Sequence, residues 1–279
     1  MFDITNINQQ KNYEYITTRL RTFFKAQGYT EMYCQGSMSI LAACEDPETI
    51  VQVIFKGKNF PLPQTSQMKL EAILLTNKEA EKIFCFTTSY RNEPFPVPGR
   101  HDTDPFLMFE FEALGNIEDL AQLEVELLWY LGFNENPTYQ EYNSLCKLYQ
   151  TDTLTDIHEG VMQRDFGDVI SLSKFPQRSH PFWNMKQNPD GTYNKIDVIL
   201  YGMETIGSAE RSCNPTGMRE NFMTVSEGKY AQKLFAESGQ DRVLNELNEY
   251  LVLPMFSRFG GGIGIGRLER ALIQKGILK

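Results

Sequence analysis

Three segments of this sequence hold residues able to do chemistry at telling spacings. In the first, Tyr90-Arg91-Asn92-Glu93 precedes a long loop and Phe106-Leu107-Met108-Phe109-Glu110-Phe111-Glu112 follows it. On extended chain Arg91 and Glu93 share a face, as do Glu110 and Glu112 on a partner strand. Such a cluster is costly unless the charges meet a ligand or each other. A solvated sheet face of ion pairs is the competing account, and it prevails when this segment is taken alone. In the second segment, Asp197, Glu204 and Arg211 are spaced seven and seven. Two hard carboxylates suit Mg2+, which usually shares its shell with phosphate oxygens. An arginine forks onto carboxylate or phosphate, and Gly207 beside Ser208 and Ala209 permits close approach to backbone. A strand followed by a polar helix start describes the same spacing. The third segment, Gly260-Gly261-Gly262-Ile263-Gly264-Ile265-Gly266-Arg267, has five glycines in seven residues. That density suits the close approach of a flat ligand or another backbone, and Arg267 opens a helix whose start favours anions. A flexible glycine-rich turn is the alternative. No Lys-Ser or Lys-Thr follows the glycines, so this is not a Walker A loop. A dinucleotide unit does not fit in the residues that follow.

Holding these residues in place requires a framework, and periodicity outlines it. Helical spacing of Tyr13, Ile16, Leu20, Phe23 and Phe24 predicts a helix over 9–27, stopped by Gly28. Residues 50–55 and 60–62 predict a hairpin around a Gly-containing turn. A helix is expected over 66–79, a strand over 83–91, a Pro-rich loop over 94–105 and a strand over 106–114. Asn116 is placed to cap a helix over 116–131. Residues 134–165 show polar turns and short helices without a clear order. Strands are expected at 168–172, 182–186 and 195–201, the last two joined by an Asn188-Pro189-Asp190-Gly191 turn. Helices are expected over 219–238, 240–251 and 267–275. Strands in meanders with helices between them predict an α+β fold, a single domain over 1–279.

Composition narrows the function classes. The chain has 279 residues, 41% of them hydrophobic, which excludes a disordered chain. Its 27 basic and 36 acidic residues leave a net charge of −9, and the basic clusters are short, as in Lys56-Gly57-Lys58. That balance leans away from nucleic-acid binding, which needs clustered Lys and Arg. The start has no signal-peptide pattern, and no apolar run approaches the roughly 20 residues of a membrane span. Five irregularly spaced cysteines give no disulfide framework or CxxC knuckle and point to a reduced, cytoplasmic setting.

Taken in this order, the three segments resemble the catalytic domain of class II aminoacyl-tRNA synthetases, from about residue 10 onward. Tyr90 to Glu93, Arg100-His101 and the strand to Glu112 look like motif 2; Gly260 to Arg267 looks like motif 3. The Asp197, Glu204 and Arg211 spacing is similar to the aspartyl/asparaginyl pattern. Thr65-Ser66-Gln67-Met68-Lys69-Leu70-Glu71-Ala72 and Met108-Phe109-Glu110-Phe111-Glu112 look like asparaginyl segments. Departures are also present. Gly266 stands where the ligases have Glu, and Leu70 where aspartyl enzymes have a lysine, Lys69 being one residue off. The chain opens almost at the catalytic domain, without the family's anticodon-binding barrel, which together with motif 3 resembles ammonia-dependent asparagine synthetases.

The resemblance implies a six-to-seven-stranded antiparallel sheet flanked by helices, a homodimer, and ATP and Mg2+ as cofactors. It implies that Arg91 contacts the α-phosphate and acyl oxygen, with Phe106 under the adenine and Arg267 over its other face. Glu93, His101 and Gly264 belong with the ATP site, and Asp197 and Glu204 with Mg2+. Arg211 would meet the amino acid's side chain, Gln67 and Glu71 its ammonium, and Glu110 also belongs to that amino-acid site. Carboxylate activation needs positioned charge rather than a side-chain nucleophile. That agrees with three histidines and no G-x-S-x-G motif; His158 and His180 are read as structural or exposed, and the cysteines as packing residues rather than nucleophiles. The leading function is an AMP-forming ligase making asparagine from aspartate and ammonia. The alternatives are a paralogue passing an amino acid to tRNA or a protein, with tRNA the less favoured acceptor, and a catalytically inactive regulatory domain.

Overall fold

The computed structural model describes residues 7–34, 38–40, 49–77, 79–92, 105–179 and 181–279. Among them the central element is an eight-stranded sheet. Its strands are β1 (Thr30–Glu31), β4 (Lys82–Ser89), β5 (Phe106–Leu114), β6 (Thr138–Glu141), β7 (Val169–Pro176), β8 (Thr192–Leu200), β9 (Met203–Glu210) and β10 (Arg258–Gly264). They lie in the order β1-β4-β5-β10-β9-β8-β7-β6. The six strands from β4 to β7 pair antiparallel, whereas β1 on β4 and β6 on β7 are parallel. The expected six-to-seven-stranded antiparallel sheet is thus corrected to eight strands in a mixed sheet. The parallel edges arise because each edge strand is separated from its neighbour by other elements rather than by a tight turn. Between β6 and β7 run α4 (Tyr142–Tyr149) and α5 (Asp156–Phe166). A separate hairpin, β2 (Gln52–Phe55) and β3 (Lys58–Pro61), turns on Lys56 and Gly57, both at positive φ as a two-residue turn requires.

One face of the sheet carries the main core. The stripe Ile16, Leu20, Phe23 and Phe24 of α1 (Ile7–Ala26) packs with α3 (Ile117–Leu131) and α9 (Ile265–Gln274) over Phe109, Phe111, Ile206 and Ile263. Asn116 caps α3 as expected, accepting from the Glu118 and Asp119 amides, while the Asp119 carboxylate accepts from the Asn116 amide. On the other face α2 (Gln67–Thr76) seals Leu70 and Leu74 over Ile83 and Cys85. Beyond it α6 (Pro215–Thr224), α7 (Lys229–Ser238) and α8 (Gln240–Leu251) build a second core around Trp183 and Phe222. This second group of helices leaves the middle of the face over β9 and β10 open.

Four local expectations are revised. β4 ends at Ser89, so Arg91 lies past the strand, and Glu93 lies outside the described residues. Residues 182–186 form a turn joined to the sheet by a Met185–Arg211 bridge, because Phe182, Trp183 and Met185 are all drawn into one core rather than alternating. The helix expected over 219–238 breaks at Val225–Gly228, where Ser226 and Glu227 have φ of 53° and 58°. The segment after Asp197 is the second arm of a hairpin, with Tyr201 and Gly202 at the turn, not a helix start.

The glycine-rich segment is neither a turn nor a loop: it is β10, paired on both sides at the centre of the sheet. Its glycines make room for neighbouring side chains. A Cβ on Gly260 would lie 2.0 Å from Glu112 Oε1, and one on Gly261 2.6 Å from Ser208 Cβ. Gly260→Ala should therefore lose about 3 kcal/mol or more of unfolding free energy, since Glu112 has nowhere to retreat. Urea denaturation with an unchanged m-value would register that loss; a difference below about 1 kcal/mol would contradict the packing described.

Candidate active site

The antiparallel register decides which side chains face the opening. Phe106, Met108, Glu110 and Glu112 alternate onto the open face of β5, opposite Gly264, Gly262 and Gly260 of β10. Gly207 of β9 lies directly across from Gly262, giving a floor without side chains. A register shift at Val198/Ile199 of β8 lets Glu204 and Thr205 both border the same cavity. That cavity is lined by Gln64, Thr65, Gln67, Arg91, Phe106, Met108, Glu110, Glu204, Thr205, Gly207, Gly262, Gly264 and Arg267.

The walls have distinct characters. On one side the Arg91 guanidinium stands 5.2 Å from the Phe106 ring centroid. On the other, Arg267 in the first turn of α9 donates from Nη1 to the Glu204 carbonyl at 2.9 Å, with the Glu204 carboxylate at 3.8 Å. At the base, the Glu110 carboxylate accepts from the Thr65 hydroxyl and, at 2.8 Å, from the Ser66 amide. Burial nonetheless pushes Glu110 above the usual carboxylate range, against the pull of those donors. Gln67 Oε1 is buried and has no hydrogen-bond partner among the described residues, an acceptor left available to a bound cation or donor.

Not every expected residue opens on the cavity. Glu71 and Arg211 do not: both belong to a buried cluster beneath it. Arg211 Nη2 lies 2.5 Å from Glu112 Oε1 and its Nε 3.6 Å from Glu71 Oε1; Arg258 Nη2 lies 2.8 Å from Glu71 Oε2. Tyr250 donates to Glu71 at 2.6 Å and Asn184 Nδ2 at 2.7 Å. All four charged side chains are at most 1% exposed. Burial opposes the charge on Glu71, but the Arg258 and Arg211 guanidiniums outweigh it and hold the carboxyl below its ordinary value. Glu112 is pushed up to about 7 by burial, with Arg211 pulling the other way. His101 lies outside the described residues.

Asp197 is 7% exposed and does not line the cavity itself; it lies across from the lining residue Gly207 in the β8–β9 pairing, with its Oδ2 on Lys195 Nζ and its Oδ1 buried without a partner among the described residues. Burial first, then Glu204, push it up to about 7 despite Lys195. Glu159 of α5 accepts from the Glu204 amide and is pushed to about 8, mainly by burial and by Glu204. An unpaired buried carboxylate oxygen next to a second carboxylate fits a divalent cation. Among the described residues no group of three or more His, Cys, Asp or Glu could hold a metal ion. Two protein carboxylates with the remaining positions left to water or phosphate is the usual arrangement for Mg2+ rather than for a closed cage.

Sequence reasoning missed Gln64, Thr65, Met108, Thr205 and Gly262 in the lining, and Arg258 and Tyr250 below it. Met108 had a readable signal, being at even spacing from Phe106 and Glu110; Arg258 and Tyr250 had none, because only the tertiary fold brings them to Glu71.

The family model for class II tRNA synthetases (D, K and N) matches residues 6–277. Among solved structures, the chain is similar to asparaginyl-tRNA synthetase from Pyrococcus horikoshii complexed with asparaginyl-adenylate. The TM-score is 0.77 at 18% identity, covering 95% of this chain and 65% of that one. The Entamoeba histolytica asparaginyl-tRNA synthetase with asparaginyl-adenylate gives 0.74 at 16%, covering 96% and 65%. A putative aspartyl-tRNA synthetase from Leishmania major Friedlin gives 0.75 at 13%, covering 95% and 62%. The chain thus spans a little under two thirds of the length of these proteins, and at such identities the likeness establishes the fold alone. No curated protein sequence matches it. Among the described residues no helix is long and apolar enough to cross a membrane.

On the opposite face of the sheet, Glu124 of α3 accepts from Ser208 Oγ at 2.6 Å and is pushed to about 8 by burial, with Asp197 adding to the shift. The fold favours its protonated form, so the stability it contributes is complete below the unfolded carboxylate range and is lost as pH rises through about 8. Glu124→Gln removes that titration. Its advantage over the wild type should grow from near none at pH 4.5 to about 4 kcal/mol by pH 8.5, read by urea denaturation at several pH values. A difference independent of pH would refute this account.

Proposed function

Because this chain belongs to the class II tRNA synthetases of the D, K and N group, we propose that it activates an amino acid of the aspartate or asparagine type with ATP. The carboxylate oxygen attacks the α-phosphorus, an aminoacyl-adenylate forms and pyrophosphate leaves. The observation that carries this reading is one cavity in which Arg91, Phe106, Glu204 and Arg267 gather from three distant segments around the side-chain-free floor of Gly207 and Gly262.

In this proposal the adenine lies between Phe106 and Arg267 near the backbone of Gly264, and Arg91 faces the α-phosphate. Glu93 and His101, which follow Arg91 in the sequence, would serve the same nucleotide. Gln67 and Glu110 take the amino acid. Arg211 reaches its side chain only by releasing Glu112, and Glu71 stays with Arg258, so both act from beneath the pocket. Asp197 and Glu204 would hold Mg2+, which when bound neutralises phosphate charge and orients the leaving group. The fixed guanidiniums supply the rest of the stabilisation as negative charge builds on the phosphorus oxygens. Homodimerisation and a cytoplasmic location belong to the same proposal.

The acceptor we propose is ammonia, which attacks the acyl carbon of an adenylate formed on the side-chain carboxylate of aspartate and releases AMP, giving asparagine; the acidic balance of −9 supports it over a polyanionic acceptor. A second reading, transfer to tRNA or a protein, is favoured by the similar solved structures, two of which hold asparaginyl-adenylate.

Pyrophosphate exchange with ATP and Mg2+ across the twenty amino acids tests the activation step, and exchange with aspartate or asparagine is expected. Absence of exchange with every acidic or amide amino acid would overturn both readings. Asparagine appearing from aspartate and ammonium selects the first; exchange with asparagine alone selects the second. Arg267→Ala should reduce exchange by about 100-fold or more while leaving the melting temperature nearly unchanged. A large fall in melting temperature instead would assign Arg267 a structural role.

A further inference from the structure

The Asp197–Glu204 pair already has cations of its own. Lys195 and Asp197 lie two residues apart on β8 and point to the same face. Lys195 Nζ is bonded to Asp197 Oδ2, and the two side chains are 14% and 9% exposed. The ammonium is also held 3.9 Å from the Phe175 ring centroid on β7, so it is fixed from two sides. On the other carboxylate, Arg267 Nη1 stands 3.8 Å from Glu204 Oε2. Glu159 adds a third carboxyl group through its bond to the Glu204 amide. The unclaimed position is Asp197 Oδ1, buried and without a partner among the described residues.

We propose that Lys195 is a built-in cation occupying one oxygen of the Asp197 carboxylate, and that it sets how tightly and in what number the Asp197–Glu204 pair takes divalent ions. This rests on the reading in which that pair holds Mg2+. A divalent ion reaching Asp197 Oδ1 must sit beside an ammonium already on Oδ2 of the same carboxylate. Both are desolvated, and like charges at that separation repel strongly. Lys195 therefore weakens the site for a divalent ion and limits it to one. It is a positioning residue: it acts through Asp197 and need not touch the nucleotide.

Binding of Mn2+ alone, without nucleotide, followed at pH 8 by the electron paramagnetic resonance signal of the free ion, tests this apart from catalysis. Lys195→Met keeps the length and the contact with Phe175 but removes the charge. It should bind Mn2+ at least tenfold more tightly than the wild type, or bind a second ion. Lys195→Gln, a second neutral variant, should follow it, with circular dichroism and melting confirming that both fold. Lys195→Arg, which keeps the charge, should stay within threefold of the wild type. Adding Asp197→Asn to Lys195→Met should abolish the gain. Unchanged or weaker binding in the neutral variants, an equal gain in Lys195→Arg, or a gain surviving Asp197→Asn would overturn the proposal. Mn2+ bound equally by all variants defeats the role of Lys195 alone. No Mn2+ bound by any of them defeats the metal-pair reading with it.

Discussion

Everything on the open face of the sheet is built over one buried cluster, in which two glutamates and two arginines neutralise each other out of reach of water. Glu71 comes from α2, Glu112 from β5, Arg211 from the end of β9 and Arg258 from the start of β10. A buried ion pair is a weak source of net stability, because desolvation offsets most of the attraction. Its geometric demands are strict, however: an arginine left without its carboxylate in that environment is far costlier than any neutral defect. The cluster therefore ties four separate segments to one arrangement. Tyr250 and Asn184 complete the shell by donating to Glu71, which joins the second group of helices to the same point.

The glycines follow from that constraint. Glu112 lies across β10 where a β-carbon on Gly260 would stand, so the strand beside the cluster must be bare. Two residues further along, the same bareness at Gly262, matched by Gly207, is what opens the cavity. One compositional feature thus serves packing at one end of a strand and ligand space at the other. The sheet also separates two populations of carboxyl groups. Glu204 lines the cavity with Asp197 and Glu159 as its electrostatic neighbours, while Glu124 is sealed against Ser208 on the core side.

Much of this was legible from periodicity and local chemistry. The strand over 106–114 and the helix stripe of Ile16, Leu20, Phe23 and Phe24 are read directly from spacing, and Asn116 with Asp119 announces its own cap. What was hidden has physical reasons. Glycines carry no side-chain pattern, so β10 could not be recognised as a strand until its partners were known. The parallel edges depend on which strands the intervening segments bring together, which no local spacing records. The break at Ser226 and Glu227 places two ordinary side chains at positive φ, which no local propensity predicts. In the site, lining residues that alternate along a strand were traceable, but the engagement of Arg211 and Glu71 was not. Seven-residue spacing says which residues share a hairpin; it says nothing of which partners have already claimed them.

The place of β10 in the sheet bears on the order of assembly. It is the central bridge between a β1-β4-β5 half and a β9-β8-β7-β6 half, yet it is made after every other strand. During synthesis, β5 and β9 each present a long unpaired edge until residue 258 and those following emerge. Joining the halves requires contacts between residues nearly 150 positions apart, such as Gly260 with Glu112. Such closures are slow, and exposed edges in waiting invite pairing with other chains. The strand that roofs the charge cluster and floors the cavity is therefore also the one whose pairing spans the longest stretch of chain in the sheet.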